Sequence, residues 1–290
     1  MIEIRNMSHA LGGKQVLKDI NIEIPDNTIL GIVGINGAGK STLLRLLSGV
    51  YLPDDGSILY DGRDPAIPET RRDLFFLPDD PYYTAFMTPI TLFEYYKAFH
   101  PSADRGIFHS LLSAYNIDLG GKMRNFSKGM RRQVFIALAL AIKPRYLLLD
   151  EAFDGLDPLS RKVFKDAIID LVEEGHTTVL IASHSLRELE DFCDKFILIN
   201  ENGIKTQGDI AEHVGCMCKF ELAFTDSVSE EMFASLPVVS LTVKNRFVHI
   251  VLEGESDEMR QRLEKLSPAV IDEMPLDFEE AFINDVRRKS

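Results

Sequence analysis

Residues 34–42 have a spacing that is typical of phosphate chemistry. They read Gly34-Ile35-Asn36-Gly37-Ala38-Gly39-Lys40-Ser41-Thr42. Two glycines flank four residues and are followed by lysine and serine, which is the pattern of a phosphate-binding loop. Such glycines allow backbone N–H groups to turn inward around phosphate oxygens, and a following helix N-terminus adds a favourable potential. We therefore expect Lys40 to reach the β- and γ-phosphates of a nucleotide and Ser41 to bind magnesium.

The segments on either side of this loop have the strand and helix patterns that a phosphate-binding loop requires. An apolar run at 29–33 precedes it as a strand would, and a helical pattern follows at 41–48. A dinucleotide-binding loop fits less well, because the glycine spacing differs and Lys40 and Ser41 would have no role there. A glycine-rich turn with an exposed lysine is the remaining alternative.

A second pair of candidate residues follows the apolar run at 147–149. Asp150 and Glu151 stand at the point where a buried strand would end. We expect Asp150 to hold the magnesium through water, which completes the site that Ser41 begins. Glu151 is then placed to take a proton from the attacking water as a general base. The alternative is a pair of solvated acids at a junction between strand and loop.

A third motif lies at residues 126–133. It reads Phe126-Ser127-Lys128-Gly129-Met130-Arg131-Arg132-Gln133. Ser127 can cap the apolar helix that follows, up to residue 142. A helix N-terminus with a hydroxyl group and a glycine is a second anion site, and nothing nearby in the sequence explains why the chain needs one.

This third motif resembles the signature of the ATP-binding cassette (ABC) ATPases, usually LSGGQ, in the variant xSKGM that is often seen in bacterial exporter subunits. In that family the loop binds the γ-phosphate of an ATP that the opposite protomer holds. The resemblance extends over about residues 1–212. It implies a dimer with two ATP molecules in its seam, in which Ser127 and Gly129 of one protomer face the Lys40 loop of the other.

Two further family motifs occur in the expected order. Gly155-Leu156-Asp157 resembles the loop that crosses the dimer seam in this family, and the resemblance places Asp157 near the nucleotide. His184 follows the apolar run at 178–181 and resembles the switch histidine that contacts the γ-phosphate. A histidine that stands alone at such a position is more often a satisfied structural residue, but the accompanying motifs favour the functional interpretation.

Two positions depart from the family pattern. The family usually has an aromatic residue near the N-terminus that stacks on adenine, and the matching residue here is Leu11. Loss of a base stack costs about 1–3 kcal/mol, so we expect a weaker and less base-selective ATP site. The family also generally has a glutamine that touches magnesium, and Asp79 stands in its place. We expect Asp79 to act as a metal ligand, with magnesium between its carboxylate and the phosphates.

A dense set of aromatic residues follows Asp79. Its members are Tyr82, Tyr83, Phe86, Phe93, Tyr95, Tyr96 and Phe99. In ABC proteins this region forms the groove that receives a short helix of the transmembrane subunit, so the resemblance implies a permease partner. The alternative is the core of a helical subdomain. We expect a division in which Tyr82, Tyr83 and Phe86 face the partner.

The composition restricts the classes of function. The 290 residues include 32 Lys and Arg against 45 Asp and Glu, and the resulting charge of −13 disfavours binding to nucleic acid or to an anionic membrane surface. The longest strongly apolar stretch, at 134–142, is about half of the ~20 residues that a membrane span requires. The start has no apolar block of the signal-peptide type, and the three cysteines form neither a disulfide framework nor a zinc pattern. We expect a cytoplasmic chain that associates with the membrane through its partner only.

The elements that must position these motifs predict an α/β fold. Strand-like apolar runs alternate with helical patterns, which is typical of parallel strands with crossover helices. Residues 2–24 indicate antiparallel strands around Gly12-Gly13, and helical patterns replace strands between about 84 and 144. We therefore predict the P-loop NTPase fold of an ABC ATPase over residues 1–212, with a mixed sheet, antiparallel N-terminal strands and an inserted helical subdomain.

A small accessory α+β domain is predicted for residues 213–290. Its expected strands and helices, in chain order, are strand 219–224, helix 229–236, strands 238–243 and 247–252, and helix 257–266. Residues 275–282 resemble the closing helix of exporter-type subunits, which often carry such a domain.

These features together predict the ATP-hydrolysing subunit of a membrane exporter, which binds ATP and Mg²⁺ and works as a homodimer or as a heterodimer with a second ABC subunit. One alternative is a catalytically weak, nucleotide-sensing subunit of a heterodimer, which Leu11 and Asp79 favour and which Glu151 and His184 oppose. A soluble cassette ATPase that acts on ribosomes or DNA is a second alternative, to which the acidic charge gives no support. A P-loop kinase or GTPase is a third, but it would leave residues 127–130 without a role.

Overall fold

The computed structural model describes residues 1–175 and 177–282 of the chain. The chain divides into two compact units, Met1–Gln207 and Gly208–Ser290. Each unit has a hydrophobic core of its own. Within the described ranges, no helix is both long and apolar enough to span a membrane.

A three-stranded antiparallel sheet begins the first unit. Strands β1 (Ile2–Leu11) and β2 (Lys14–Ile24) form a hairpin, and β4 (Asp55–Tyr60) pairs with the other edge of β1. The turn needs glycine, since Gly12 and Gly13 have φ angles of 57° and 81°. The hairpin that residues 2–24 predict is therefore present.

A six-stranded sheet positions the residues with candidate chemistry. Its strands are β3 (Ile29–Val33), β5 (Leu74–Leu77), β6 (Tyr146–Asp150), β7 (Thr178–Ala182), β8 (Lys195–Asn200) and β9 (Gly203–Asp209). They lie in the order β5-β6-β7-β3-β8-β9, and β3 and β5 to β8 are parallel. Because the carboxyl ends of parallel strands meet at one edge, the segments after β3, β6 and β7 lie side by side.

Seven helices of the first unit surround these sheets in the part of the chain that the structure describes. They are α1 (Lys40–Leu47), α2 (Pro68–Arg71), α3 (Pro89–Lys97), α4 (Arg105–Ala114), α5 (Lys128–Ile142), α6 (Pro158–Glu173) and α7 (Leu186–Glu190). Helices α3 to α5 stand between β5 and β6, where the sequence predicts a helical insertion. Helix α5 is buried from Val134 to Ile142 because α3, α4, α6 and β5 all pack against it.

The second unit is a four-stranded antiparallel sheet with a helix against one face. Its elements are α8 (Ile210–Gly215), β10 (Met217–Ala223), β11 (Val238–Lys244), β12 (Phe247–Glu253), α9 (Ser256–Glu264) and β13 (Val270–Met274). The strands lie in the order β11-β12-β10-β13. Met259 and Leu263 of α9 join the core that Phe220 and Ile250 form on the sheet.

Two elements of the second unit differ from the sequence-based expectation. Residues 229–236 were expected to form a helix, but only a single 3-10 turn forms, at Glu230–Phe233. Pro237 follows this segment, and Phe233 is its one fully buried residue, with Leu236 packed partly buried against the same core. The sequence does not predict strand β13, because its charged residues Asp272 and Glu273 interrupt the apolar pattern of a strand. It forms at the edge of the sheet through backbone pairing with β10.

Candidate functional site

The phosphate-binding loop lies between β3 and α1, where the sequence predicts it. Gly37 and Gly39 have φ angles of 82° and 109°, which glycine adopts without strain. Gly34 has no room for a side chain, because a Cβ there would lie 2.6 Å from the carbonyl oxygen of Ile199 on β8. The shape of the loop therefore depends on glycine at these three positions.

The remaining loop residues surround the first turn of α1. Asn36 is exposed, and the N–H of Ala38 donates to the carbonyl oxygen of Ile35 at 3.0 Å. Thr42 is half-buried on α1. Residues 34–42, the predicted phosphate-binding loop, thus lie on one continuous turn from strand to helix.

Lys40 folds back onto this loop. It is 6% exposed, and its Nζ donates to the carbonyl oxygen of Gly34 at 2.7 Å. Burial lowers the pKa of Lys40, while the negative charges of Glu151 and Asp150 oppose that change. A phosphate would offer this cation a full negative charge in place of a carbonyl dipole, so exchange of partner on nucleotide binding is favourable.

Ser41 and Asp150 meet where α1 faces the end of β6. Ser41 Oγ donates to Asp150 Oδ1 at 3.0 Å, and Asp150 is 2% exposed. Burial raises the pKa of Asp150; the hydrogen bond from Ser41 opposes this rise, and the carboxylates of Glu151 and Asp79 add to it. Hard oxygen donors with surplus negative charge suit a magnesium ion, so this donor set fits the predicted metal.

Glu151 and His184 are brought together although they are far apart in the sequence. Glu151 has a φ of 47°, which is uncommon for a residue other than glycine. Its N–H donates to the carbonyl oxygen of Ala182 at 2.9 Å, and its Oε2 lies 2.9 Å from His184 Nδ1. Hydrogen bonding and charge from Glu151 raise the pKa of His184. The two predicted catalytic residues thus form a contact pair beside the phosphate loop.

The third motif begins helix α5. Ser127 caps the helix, since its Oγ accepts a hydrogen bond from the N–H of Met130 at 3.1 Å. Gly129 packs closely on Gly155, where an added Cβ would lie 2.5 Å from the Gly155 carbonyl oxygen. A side chain at residue 129 would therefore push the two loops apart.

The loop at 155–157 is attached to α5 through a second helix cap. Asp157 caps α6 by accepting hydrogen bonds from the N–H groups of Leu159 and Ser160, each at 3.0 Å. Ser160 Oγ also donates to Asp157, and it accepts a hydrogen bond from Gln133 Nε2 at 2.7 Å. Asp157 thus stands at a helix N-terminus that is bound to the signature helix.

Comparison with known proteins accounts for this set of loops. A profile described as "ABC transporter" matches residues 17–154. The ABC transporter ATP-binding protein YtrB of Bacillus subtilis is 31% identical over 285 residues, which cover 98% of this chain and 97% of YtrB. The chain belongs to the ABC transporter family. The resemblance that the signature motif indicates is confirmed, and so is the prediction of an ABC ATPase subunit.

Other relatives agree on the family but differ in the direction of transport. The lipopolysaccharide export system ATP-binding protein LptB of Haemophilus influenzae is 31% identical and shares 72% of this chain and 90% of its own. The methionine import ATP-binding protein MetN of Clostridium acetobutylicum is also 31% identical, over 72% of this chain and 69% of its own. A solved ATP-binding subunit of an ABC transporter superposes with a TM-score of 0.68 at 26% identity, covering 73% of this chain and 91% of that one. The predicted ABC ATPase fold is confirmed.

Asp79 is predicted to replace the glutamine that is usual in ABC ATPases, and its carboxylate contacts two cations. Asp79 Oδ1 lies 3.1 Å from Arg132 Nη2 and 3.4 Å from Lys128 Nζ. Its charge is also felt at Asp150, whose pKa it helps to raise. The expected role of Asp79 as a magnesium ligand stays a prediction, and its partners in this structure are residues of the ABC signature helix.

Leu11 stands at the tip of the N-terminal hairpin, opposite Lys14, and is 45% exposed. An exposed aliphatic side chain covers a purine less well than an aromatic ring does. We therefore expect Leu11→Tyr to tighten ATP binding to this ABC subunit by about five- to a hundredfold, with a larger gain for ATP than for pyrimidine triphosphates.

Titration of purified protein with fluorescent and unlabelled nucleotides measures this effect. Val270→Tyr, at a position that is 49% exposed in the second unit, is the matched control and should leave the affinity unchanged. An affinity that does not rise in Leu11→Tyr would remove Leu11 from the adenine site.

The aromatic residues after Asp79 divide between core and surface. Tyr82, Phe86, Tyr95 and Phe99 are 83%, 73%, 53% and 57% exposed, whereas Phe93 is buried at 1%. The hydroxyl oxygen of Tyr83 accepts a hydrogen bond from Arg131, whose guanidinium lies 5.4 Å from the centre of the ring. Tyr82 and Phe86 are therefore largely exposed, with the Arg124 guanidinium 5.7 Å from the centre of the Phe86 ring, while Tyr83 is held by the signature helix of this ABC subunit.

Sequence reasoning did not single out Arg132 as a site residue. Its side chain is 2% exposed and contacts both the segment at 78–79 and Glu151. An arginine in the second turn of a helix is normally exposed to solvent. The sequence does contain one signal for its burial. Arg132 lies just before the apolar stretch Val134–Ile142, and a helix that is apolar on all sides is buried on all sides.

Proposed function

We propose that this ABC ATPase drives an exporter by closing head-to-tail on a second ABC protomer, with one ATP between the Lys40 loop of each protomer and the Ser127 loop of the other. The observation that carries this proposal is the pairing of Glu151 with His184 beside the Ser41–Asp150 pair. The protomer brings a phosphate loop and a proton acceptor together, while its signature loop contacts Asp79 and Gly155. A second copy supplies the signature loop to the nucleotide.

The proposed chemistry assigns one task to each residue at the sheet edge. The Lys40 ammonium binds the terminal phosphates and stabilises the charge that develops there. Glu151 Oε2 accepts the proton of the attacking water, and His184 Nδ1 orients that carboxylate through its hydrogen bond. Ser41 and Asp150 would hold a magnesium ion, which neutralises phosphate charge when it is bound.

We propose that the partner is a transmembrane permease, which contacts the exposed aromatic residues after Asp79. Tyr82 and Phe86 project next to the segment that Arg131 and Arg132 hold. Aromatic side chains that are exposed together are typical anchors for a helix that docks in a groove. In this proposal the chain lies at the cytoplasmic face of the membrane through the permease alone, and it binds no nucleic acid.

We propose export as the direction of transport. The support for it is the xSKGM form of the signature, at Ser127-Lys128-Gly129-Met130, together with the likeness to LptB, which is named as part of an export system. The likeness to MetN, named for import, makes direction a matter for transport assays in vesicles with the co-purified permease.

A mixing experiment tests the head-to-tail arrangement. Lys40→Ala removes the phosphate ligand, Ser127→Arg blocks the signature loop, and each variant alone should hydrolyse no ATP. In a one-to-one mixture, half of the dimers contain both variants and each of these has one intact site, so about a quarter of the wild-type activity should return.

Two controls make this result specific. A mixture of Lys40→Ala with itself from a differently tagged preparation should stay inactive, and recovered activity should co-elute with the doubly tagged dimer. A mixture that stays inactive although mixed dimers form would mean that Lys40 and Ser127 of the same protomer serve one site, contrary to the proposal.

A further inference from the structure

Arg132 is a buried cation that joins three functional segments. Its Nη1 donates to the carbonyl oxygen of Pro78 at 2.9 Å, and its Nη2 donates to the carbonyl oxygens of Asp79 at 2.8 Å and Glu151 at 3.2 Å. Nη2 also contacts Asp79 Oδ1 at 3.1 Å. The side chain is 2% exposed. A guanidinium presents donors on separate nitrogens of a rigid planar fork, whereas an ammonium group has its three donors on one nitrogen.

The contact with Glu151 reaches a backbone that needs support. A left-handed φ of 47° is unfavourable for glutamate and persists only where the surroundings determine it. The N–H of Glu151 is bound to Ala182 on β7, and its carbonyl oxygen is bound to Arg132. These two hydrogen bonds fix both sides of the residue and thereby direct the carboxylate toward His184.

Asp79 supplies the charge that a buried guanidinium requires. Burial of a cation is costly unless a carboxylate and further hydrogen bonds compensate it. Asp79 is half-exposed and stands on the same segment whose carbonyl oxygens Arg132 already binds. The pair therefore attaches the segment at 78–79 to the signature helix by charge as well as by backbone hydrogen bonds.

The neighbours of Arg132 on α5 extend this connection. Arg131 donates to the hydroxyl group of Tyr83, next to the exposed Tyr82, and Gln133 donates to Ser160, which binds Asp157. Three consecutive residues of α5 thus hold the aromatic segment, the backbone of the general base and the loop that precedes α6. Because Arg131 and Arg132 bind residues 78–83, a displacement of that segment would strain the hydrogen bond between Arg132 and the carbonyl oxygen of Glu151.

We propose that Arg132 is a positioning residue that holds the Glu151 backbone in place and couples it to the segment at 78–83, with Asp79 as its counter-ion. The inference rests on the proposed role of Glu151 as general base. It adds a route, within one protomer, by which contact with the permease changes the placement of that base.

Steady-state kinetics of the full chain separate this role from a purely structural one. Arg132→Gln should lower kcat by about thirty- to a hundredfold, the size of effect that a small misplacement of a catalytic group produces. The KM for ATP should change less than about threefold, because Lys40 and Ser41 do not contact Arg132. Arg132→Lys should not restore kcat, since the single nitrogen of an ammonium group cannot take the places of both Nη1, which binds the Pro78 carbonyl oxygen, and Nη2, which binds those of Asp79 and Glu151.

A double variant distinguishes a loss of catalysis from a loss of folding. Asp79→Asn/Arg132→Gln removes both charges of the pair, so it should unfold at a temperature no lower than that of Arg132→Gln alone, whereas kcat should be as low as in that single variant. Arg145→Gln is the matched control: Arg145 forms ion pairs with Asp26 and Asp61 just before β6 begins, at the opposite end of that strand from Glu151, and its loss should leave kcat unchanged.

The outcomes are distinguishable from failure of the proposed function. Glu151→Gln is measured beside these variants, and an active Glu151→Gln would overturn the general-base assignment itself. If Glu151→Gln is inactive but Arg132→Lys or the double variant retains wild-type kcat, the positioning role of Arg132 is overturned. A kcat that falls only in step with the unfolding temperature would overturn it as well.

Discussion

Glu151→Gln should lower the ATP turnover of this subunit at least about a hundredfold, because a general base contributes roughly 10²–10⁴ to such a reaction. The amide retains the size of the side chain and can still meet His184 Nδ1, which lies 2.9 Å from Glu151 Oε2. It cannot accept the proton of the attacking water. The variant should still bind ATP, so a stable ATP-bound dimer should accumulate.

Single-turnover hydrolysis and size-exclusion chromatography with ATP measure the two halves of this prediction. Asp154→Asn is the informative control, since its carboxylate lies within 4.8 Å of the ligand atoms of Glu151 and His184 but does not carry the proposed role. It should lose less than about tenfold in turnover. Normal hydrolysis by Glu151→Gln, or a chain that stays monomeric at high ATP, would count against the proposed mechanism.

Asp150→Asn should abolish the magnesium dependence of ATP binding and reduce hydrolysis by more than about a hundredfold, since a bound cation contributes several kcal/mol to such a reaction. Asparagine keeps the volume and can still accept the hydrogen bond from Ser41 Oγ at the same place. It removes the buried carboxylate of Asp150, whose pKa is raised by burial and by the nearby carboxylates of Glu151 and Asp79. The charge that a cation would neutralise is then gone.

Nucleotide titrations with magnesium and with a chelator measure this effect directly. The exposed neighbour Asp80 provides the control, because Asp80→Asn should leave the response to magnesium unchanged. Asp79→Asn is measured in parallel, and a shift in the magnesium concentration for half-maximal activity would identify Asp79 as a ligand. An unaltered magnesium response in Asp150→Asn would place the metal elsewhere.

The local motifs of this chain could be predicted because each depends on neighbouring residues. Gly34, Gly37 and Gly39 permit the turn of the phosphate loop, and the apolar run at 29–33 specifies the strand before it. The order of the later motifs then indicates the ABC family. Backbone preference and hydrophobic pattern act over a few residues, so they can be read from the sequence alone.

Elements with weak local patterns could not be predicted in this way. Strand β13 carries Asp272 and Glu273 and forms because β10 offers its edge, and residues 229–236 form only one 3-10 turn around Phe233. In both cases pairing and packing outweigh local preference. The aromatic residues after Asp79 are likewise alike in sequence, yet Phe93 is buried and Tyr82 is exposed.

The sequence by itself determined the family, the chemistry of the phosphate site and the identity of Lys40, Ser41, Asp150 and Glu151 as its candidate residues. Only the tertiary structure decided that Asp79 pairs with Arg132, and that Arg132 binds the backbone of Glu151. These residues are 53 and 19 positions apart, so no local pattern links them. They meet because α5 packs against β5, and the Arg132 side chain reaches both the segment after β5 and the residue after β6. A buried guanidinium must find its acceptors among the segments that this packing brings within reach.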